Sequence, residues 1–140
     1  MGRTAKVTLE SAEGDRSRLT VGFESGASLR LDSPSGEWGP SPVEAVLGAL
    51  GGCTALDVIS ILRKKRQRVV GYEVLLEGDR RQEHPRIYTR IEILHRVRGH
   101  DLSPEAVAEA IRLSDTKYCS VHAMMEGQAE IVSRFEIVPA

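Results

Sequence analysis

The chain has 140 residues, enough for one domain with a sizeable buried core. Its 19 basic and 20 acidic residues nearly cancel, which removes any global field directed at nucleic acid or a membrane surface. The opening residues Met1 to Lys6 carry no apolar segment and only two cysteines occur, so the expectation is a cytoplasmic protein without a leader peptide or structural disulfide framework.

Residues 5–10 alternate with period two and predict a half-buried strand. Turn chemistry at 11–15 separates it from a second alternating run at 19–23, and a third short strand is expected at 28–32. Arg16 and Arg18 fall in the first turn region of this antiparallel meander. Ser33 to Pro40 is rich in Ser, Pro and Gly and reads as a loop.

The stretch 41–62 dominates the chain. Ser41 fits an N-cap, Pro42 the first helical position, and Glu44 completes a capping-box pattern. Apolar residues then point in nearly every direction, which predicts a buried helix. Gly48, Gly51 and Gly52 each cost up to about 1 kcal/mol in a helix interior, a cost that close approach of a neighbour would offset. Cys53 follows directly. Glu44, Asp57 and the glycines argue against a transmembrane reading of this helix.

The helix runs out in Arg63 to Arg68, whose cations suit a helix C-terminus and a solvated surface better than a nucleic-acid patch. Strands are expected at 69–77 and 86–97, joined by a polar turn. Ser103-Pro104 opens a second helix with apolar positions 107, 108, 111 and 113, and residues 114–117 break its pattern. A short helical turn at 122–126 and a final strand at 128–138 complete one α+β domain over 1–140, with two antiparallel sheets around a buried helix.

Cys53 and Cys119 are open to four fates: buried hydrophobes, metal ligands, a disulfide or a redox pair. No C-x-x-C or H-x-x-x-H spacing supports a metal site, so none is expected. His122 follows Cys119 by three residues and would share its face on a helix. Position alone makes Cys119, at the start of a short helix, the more acidic thiol. Cys53 is mid-helix, where desolvation raises a thiol pKa, and a charged Asp57 one turn on would raise it further.

The run Ser41-Pro42 … Glu44 … Gly51-Gly52-Cys53-Thr54-Ala55-Leu56-Asp57-Val58, with Lys117-Tyr118-Cys119-Ser120-Val121 downstream, resembles the OsmC/Ohr family and its YhfA-type branch. The resemblance implies a domain-swapped α+β homodimer with long central helices and both cysteines at the subunit interface. It also implies thiol-dependent reduction of organic hydroperoxides, with Cys53 peroxidatic, Cys119 resolving, no bound cofactor and an external dithiol reductant. Family peroxidases carry a glutamate directly after the helix-opening proline and an arginine from the N-terminal meander. Here Val43 follows the proline and Glu44 comes next, about 13.5 Å along the helix axis from Cys53. Arg16 and Arg18 are the candidate arginines. The alternative function is a small-molecule or lipid binder, or a redox sensor, that keeps the cysteines but turns over slowly.

Overall fold

A computed structural model describes residues 2–140 and shows an α+β chain of two compact units, the first running to Val46 and the second spanning Leu47–Ala140. The first unit holds the meander: β1 (Ala5–Glu13), β2 (Arg16–Phe23) and β3 (Ser28–Ser33), antiparallel in the order β1-β2-β3. Gly14 and Gly26 sit at φ 61° and 93° in its two hairpin turns, a left-handed conformation that glycine adopts without a Cβ clash. The first turn is shorter than expected, so Arg16 and Arg18 lie in β2 and not in a turn. Tight reversal at Gly14 lets pairing extend to Glu13↔Arg16.

Helix α1 (Pro42–Lys64) starts as its capping box predicts: the Ser41 hydroxyl accepts from the Glu44 N–H, and a Glu44 carboxylate oxygen accepts from the Ser41 N–H. Only one stripe of it is buried in the chain, namely Leu50, Gly51, Thr54, Val58 and Leu62, spaced by the helical repeat. Leu56 on another face is 72% exposed, so one chain does not bury this helix on all sides. The glycines divide too. A Cβ on Gly51 would sit 2.5 Å from Leu76 Cδ1, whereas Gly48 and Gly52 face open space, so close approach accounts for Gly51 alone. By length and composition α1 is apolar enough to cross a membrane, and Val58 and Leu62 of its buried stripe join the core of the second unit.

The second unit carries a three-stranded sheet in the order β4 (Arg68–Arg80), β5 (Tyr88–His100), β6 (Glu130–Pro139). Central β5 alternates cleanly: Ile91, Ile93, His95 and Val97 are buried, while Glu92 and Arg98 are exposed. Strands β4 and β5 are antiparallel, but β6 runs parallel to β5 and not antiparallel as expected. The reason lies in the connection. Helices α2 (Pro104–Leu113) and α3 (Ser120–Met125) form a crossover that returns the chain to the end of the sheet where β5 began. Between them a π-helical turn, Ser114–Tyr118, stands where the apolar pattern breaks. The core joins Val58 and Leu62 of α1, Val97 of β5 and Val107, Ala110 and Ile111 of α2. Ala108, expected in the buried stripe of α2, is exposed and Ala110 takes its place.

Candidate functional site

The π-turn positions the second cysteine. Its closing bond runs from the Cys119 N–H to the Ser114 carbonyl at 2.9 Å, five residues back. One residue more than an α-turn rotates the following chain by about 100°, and such turns recur at functional sites. Cys119 thereby leaves the helical run in extended conformation and becomes the N-cap of α3. Its sulfur accepts the backbone N–H of His122 at 3.4 Å.

Cys53, one residue before the buried Thr54 on α1, meets it there. The sulfurs of Cys53 and Cys119 and a carboxylate oxygen of Asp57 all lie within 4.8 Å of one another. Cys119 is 4% exposed, while Cys53 is half-buried. This exchanges the environments expected from position along the chain. Burial pushes the Cys119 thiol up from an ordinary 9.0 to about 11; the His122 N–H opposes the shift, and Cys53 and then Asp57 add to it. The expected acidity of Cys119 is therefore corrected: desolvation outweighs the N–H donor at the start of this short helix.

A buried hydroxyl chain orients Asp57. Ser114 Oγ donates to Asp57 Oδ2 at 2.9 Å, which leaves Thr54 Oγ1 to donate to Ser114 Oγ at 2.8 Å. Thr54 and Ser114 are both fully buried. A second set of polar side chains is formed by His122, Asp115, Tyr72 and His95. The His122 ring faces Asp115 at 3.4 Å, and burial raises the Asp115 carboxyl above its usual range. Tyr72 and His95 share a 2.6 Å hydrogen bond. Burial, then the charges of Asp115 and Asp57, raise the Tyr72 phenol, and burial lowers His95 to about 4. Tyr72 is therefore the donor and His95 Nδ1 the acceptor.

The remaining candidates belong to the first unit. Glu44 caps α1, and the Ser41 N–H followed by the Ser35 hydroxyl lower its carboxyl below the usual range. Arg16 pairs with the buried Asp32 at 2.7 Å and donates to the Pro34 carbonyl. The Arg18 guanidinium lies 5.8 Å from the Trp38 ring centroid. The two cysteines are thus brought together, and Glu44, Arg16 and Arg18 each have partners of their own. Sequence reasoning missed Thr54, Tyr72, His95, Ser114 and Asp115. Only the pattern break at 114–117 marked that region in advance.

Residues 34–134 match the family model described as OsmC-like protein. The chain is 49% identical over 116 residues to Protein YhfA of Escherichia coli K12, covering 83% of this chain and 87% of that protein. The chain belongs to the OsmC family. A crystal structure of a hypothetical protein from Aquifex aeolicus VF5 superposes with a TM-score of 0.81 at 32% identity, covering 98% of each chain. The organic hydroperoxide resistance protein OhrB of Bacillus subtilis shares the fold at a TM-score of 0.60 and 16% identity, covering 95% of this chain and 98% of that one. The cysteine pair on α1 and before α3 is therefore set in an OsmC fold, and its closeness suits a redox role.

Proposed function

We propose that this protein is a thiol-dependent peroxidase acting on organic hydroperoxides, working as a homodimer. The observation that carries the reading is the approach of the Cys53 and Cys119 sulfurs to within 4.8 Å. The more accessible Cys53 acts first. Its thiolate attacks the distal peroxide oxygen, the O–O bond breaks, the alcohol leaves with a proton, and Cys53 becomes a sulfenic acid. Cys119, buried and held protonated at neutral pH, does not compete for peroxide. It then attacks the sulfenic sulfur, forming the disulfide and releasing water, and a dithiol reductant restores both thiols by exchange. A groove of about 390 Å³ beside Asp57, lined by Ser60, Ile61, Lys64, Lys65, Leu113 and Tyr118, offers a mixed apolar and cationic surface for an organic substituent.

One observation favours the second reading, a slowly reacting sensor or binder. Asp57 stands beside both sulfurs, and its charge adds to the upward shift of the Cys119 thiol on which the resolving step depends. The experiment separates the two. One equivalent of an organic hydroperoxide is expected to remove two hydrogens from the wild-type chain by mass, with turnover once a dithiol is added. Cys119→Ser is expected to stop at the sulfenic acid and pass to sulfinic acid in excess oxidant. Disulfide formation without dithiol-driven turnover identifies the sensor. Two thiols that stay alkylatable after peroxide refute both redox readings.

A further inference from the structure

The same three side chains that oppose one another as anions form a ligand set for a cation. Two thiols and one carboxylate, contributed by α1 and by the residue that caps α3, place one donor atom each within 4.8 Å of the other two. A tetrahedral zinc ion with Zn–S of about 2.3 Å and Zn–O of about 2.1 Å sets ligand atoms about 3.5–3.8 Å apart. The donor atoms, already within 4.8 Å of one another, have to close by at most about 1 Å to reach that geometry, within the reach of side-chain rotation at Cys53. Sulfur with a single carboxylate selects a borderline-soft ion over magnesium or calcium, which take oxygen ligands.

The surroundings suit such a site. Asp57 is not a freely rotating carboxylate: Oδ2 is held by Ser114, and Ser114 is held by Thr54, in the manner of the outer-shell groups that orient metal ligands. The Cys119 sulfur has its own outer donor in the His122 N–H. Three protein ligands leave the fourth tetrahedral position to solvent or another small ligand. Cys53 and Asp57 lie one turn apart on α1, but Cys119 comes from a distant part of the chain, which is why no C-x-x-C or H-x-x-x-H spacing marked the set.

We propose that the reduced protein binds one thiophilic divalent cation of the zinc class through Cys53, Asp57 and Cys119, and that peroxide releases it. Binding replaces the two thiol protons. In the metal-bound state both sulfurs are ligands, and alkylation and oxidation are slowed. When a hydroperoxide does oxidise the pair, two electrons pass from the two sulfurs to the O–O bond. Two protons are taken up, the alcohol and water form, and the S–S bond replaces both metal–sulfur bonds. Asp57 alone does not hold the ion, which leaves as a divalent cation without change of oxidation state. This rests on the pairing of the cysteines but not on catalytic turnover.

The test uses the whole reduced chain, titrated anaerobically with cobalt(II) and then with zinc(II). One cobalt per chain is expected, with thiolate-to-cobalt charge-transfer absorption and the visible bands of a tetrahedral ion, displaced by zinc. Cys53→Ser and Cys119→Ser are expected to lose the charge-transfer band. Asp57→Asn is expected to weaken binding by more than about tenfold, and Ser114→Ala by about tenfold through the freed carboxylate. Circular dichroism checks that each variant folds, and the disulfide form of the unaltered chain serves as a control that needs no substitution. Zinc release on peroxide addition, read with a chromophoric chelator, is expected to match disulfide formation one to one. The absence of a charge-transfer band, unchanged affinity in Asp57→Asn, or zinc retained by the disulfide form each overturns the proposal. Disulfide formation in metal-free protein that binds no cobalt overturns it while leaving the redox reading intact.

Discussion

His95 makes a sharp test of the buried polar group because one titration isolates it. The ring is fully buried on central β5, accepts a 2.6 Å hydrogen bond from Tyr72 at Nδ1, and has no partner at Nε2 among the described residues. Burial lowers its pKa from 6.5 to about 4. The unfolded chain therefore binds a proton more readily than the folded one between those values, and stability falls as pH falls through them. At about 1.4 kcal/mol per pH unit, acidification from pH 7 to about 4 removes about 3 kcal/mol through this residue. Carboxylates titrate over the same range, so the comparison is with His95→Gln, whose amide oxygen still accepts from Tyr72. Urea unfolding of both proteins at about pH 7 and about pH 4, at matched concentration and ionic strength, gives the two losses. The wild type is expected to lose about 3 kcal/mol more than the variant. Equal losses would refute the assignment of a neutral His95, and with it the direction of the Tyr72 hydrogen bond.

Two further outcomes are expected. Gly99→Ala places a Cβ against the Arg68 carbonyl oxygen, a backbone atom that cannot swing aside, and 2.9 Å from Leu102 Cδ2; urea unfolding should show a loss of about 2 kcal/mol, and an unchanged midpoint would contradict the close packing there. Light scattering coupled to size exclusion should show a dimer at micromolar concentration, because Leu56 and Met124 leave 72% and 79% of their surfaces uncovered in one chain, and a soluble folded monomer would contradict the proposed assembly.

Local rules carried much of the fold. The Ser41-Pro42-Glu44 cap is a contact among near neighbours, and the alternation of β5 depends only on which residues are apolar. Both are short-range, and both stood as expected. The direction of β6 was not local: its alternation is the same whether it pairs parallel or antiparallel, and the helical crossover decides the matter. The meander turn is shorter than its polar run suggests, because a polar residue such as Arg16 can also begin a strand, here the central one of the meander.

The site divides along the same line. The sequence by itself determined the family, through two cysteine motifs, and the presence of a long apolar helix with a glycine-flanked thiol. It also singled out Asp57 as a group one turn from Cys53, where helical periodicity alone brings side chains onto a shared face. Only the tertiary structure decided which thiol is buried, because desolvation depends on what packs against a residue and not on its distance from a helix end. It alone also joined Thr54 to Ser114 and Tyr72 to His95, pairs separated by 60 and 23 positions with no shared motif. A hydroxyl, a phenol and an imidazole leave no periodic trace in a sequence. Their partners are chosen by the folding of α1, the π-turn and the sheet into one buried interior.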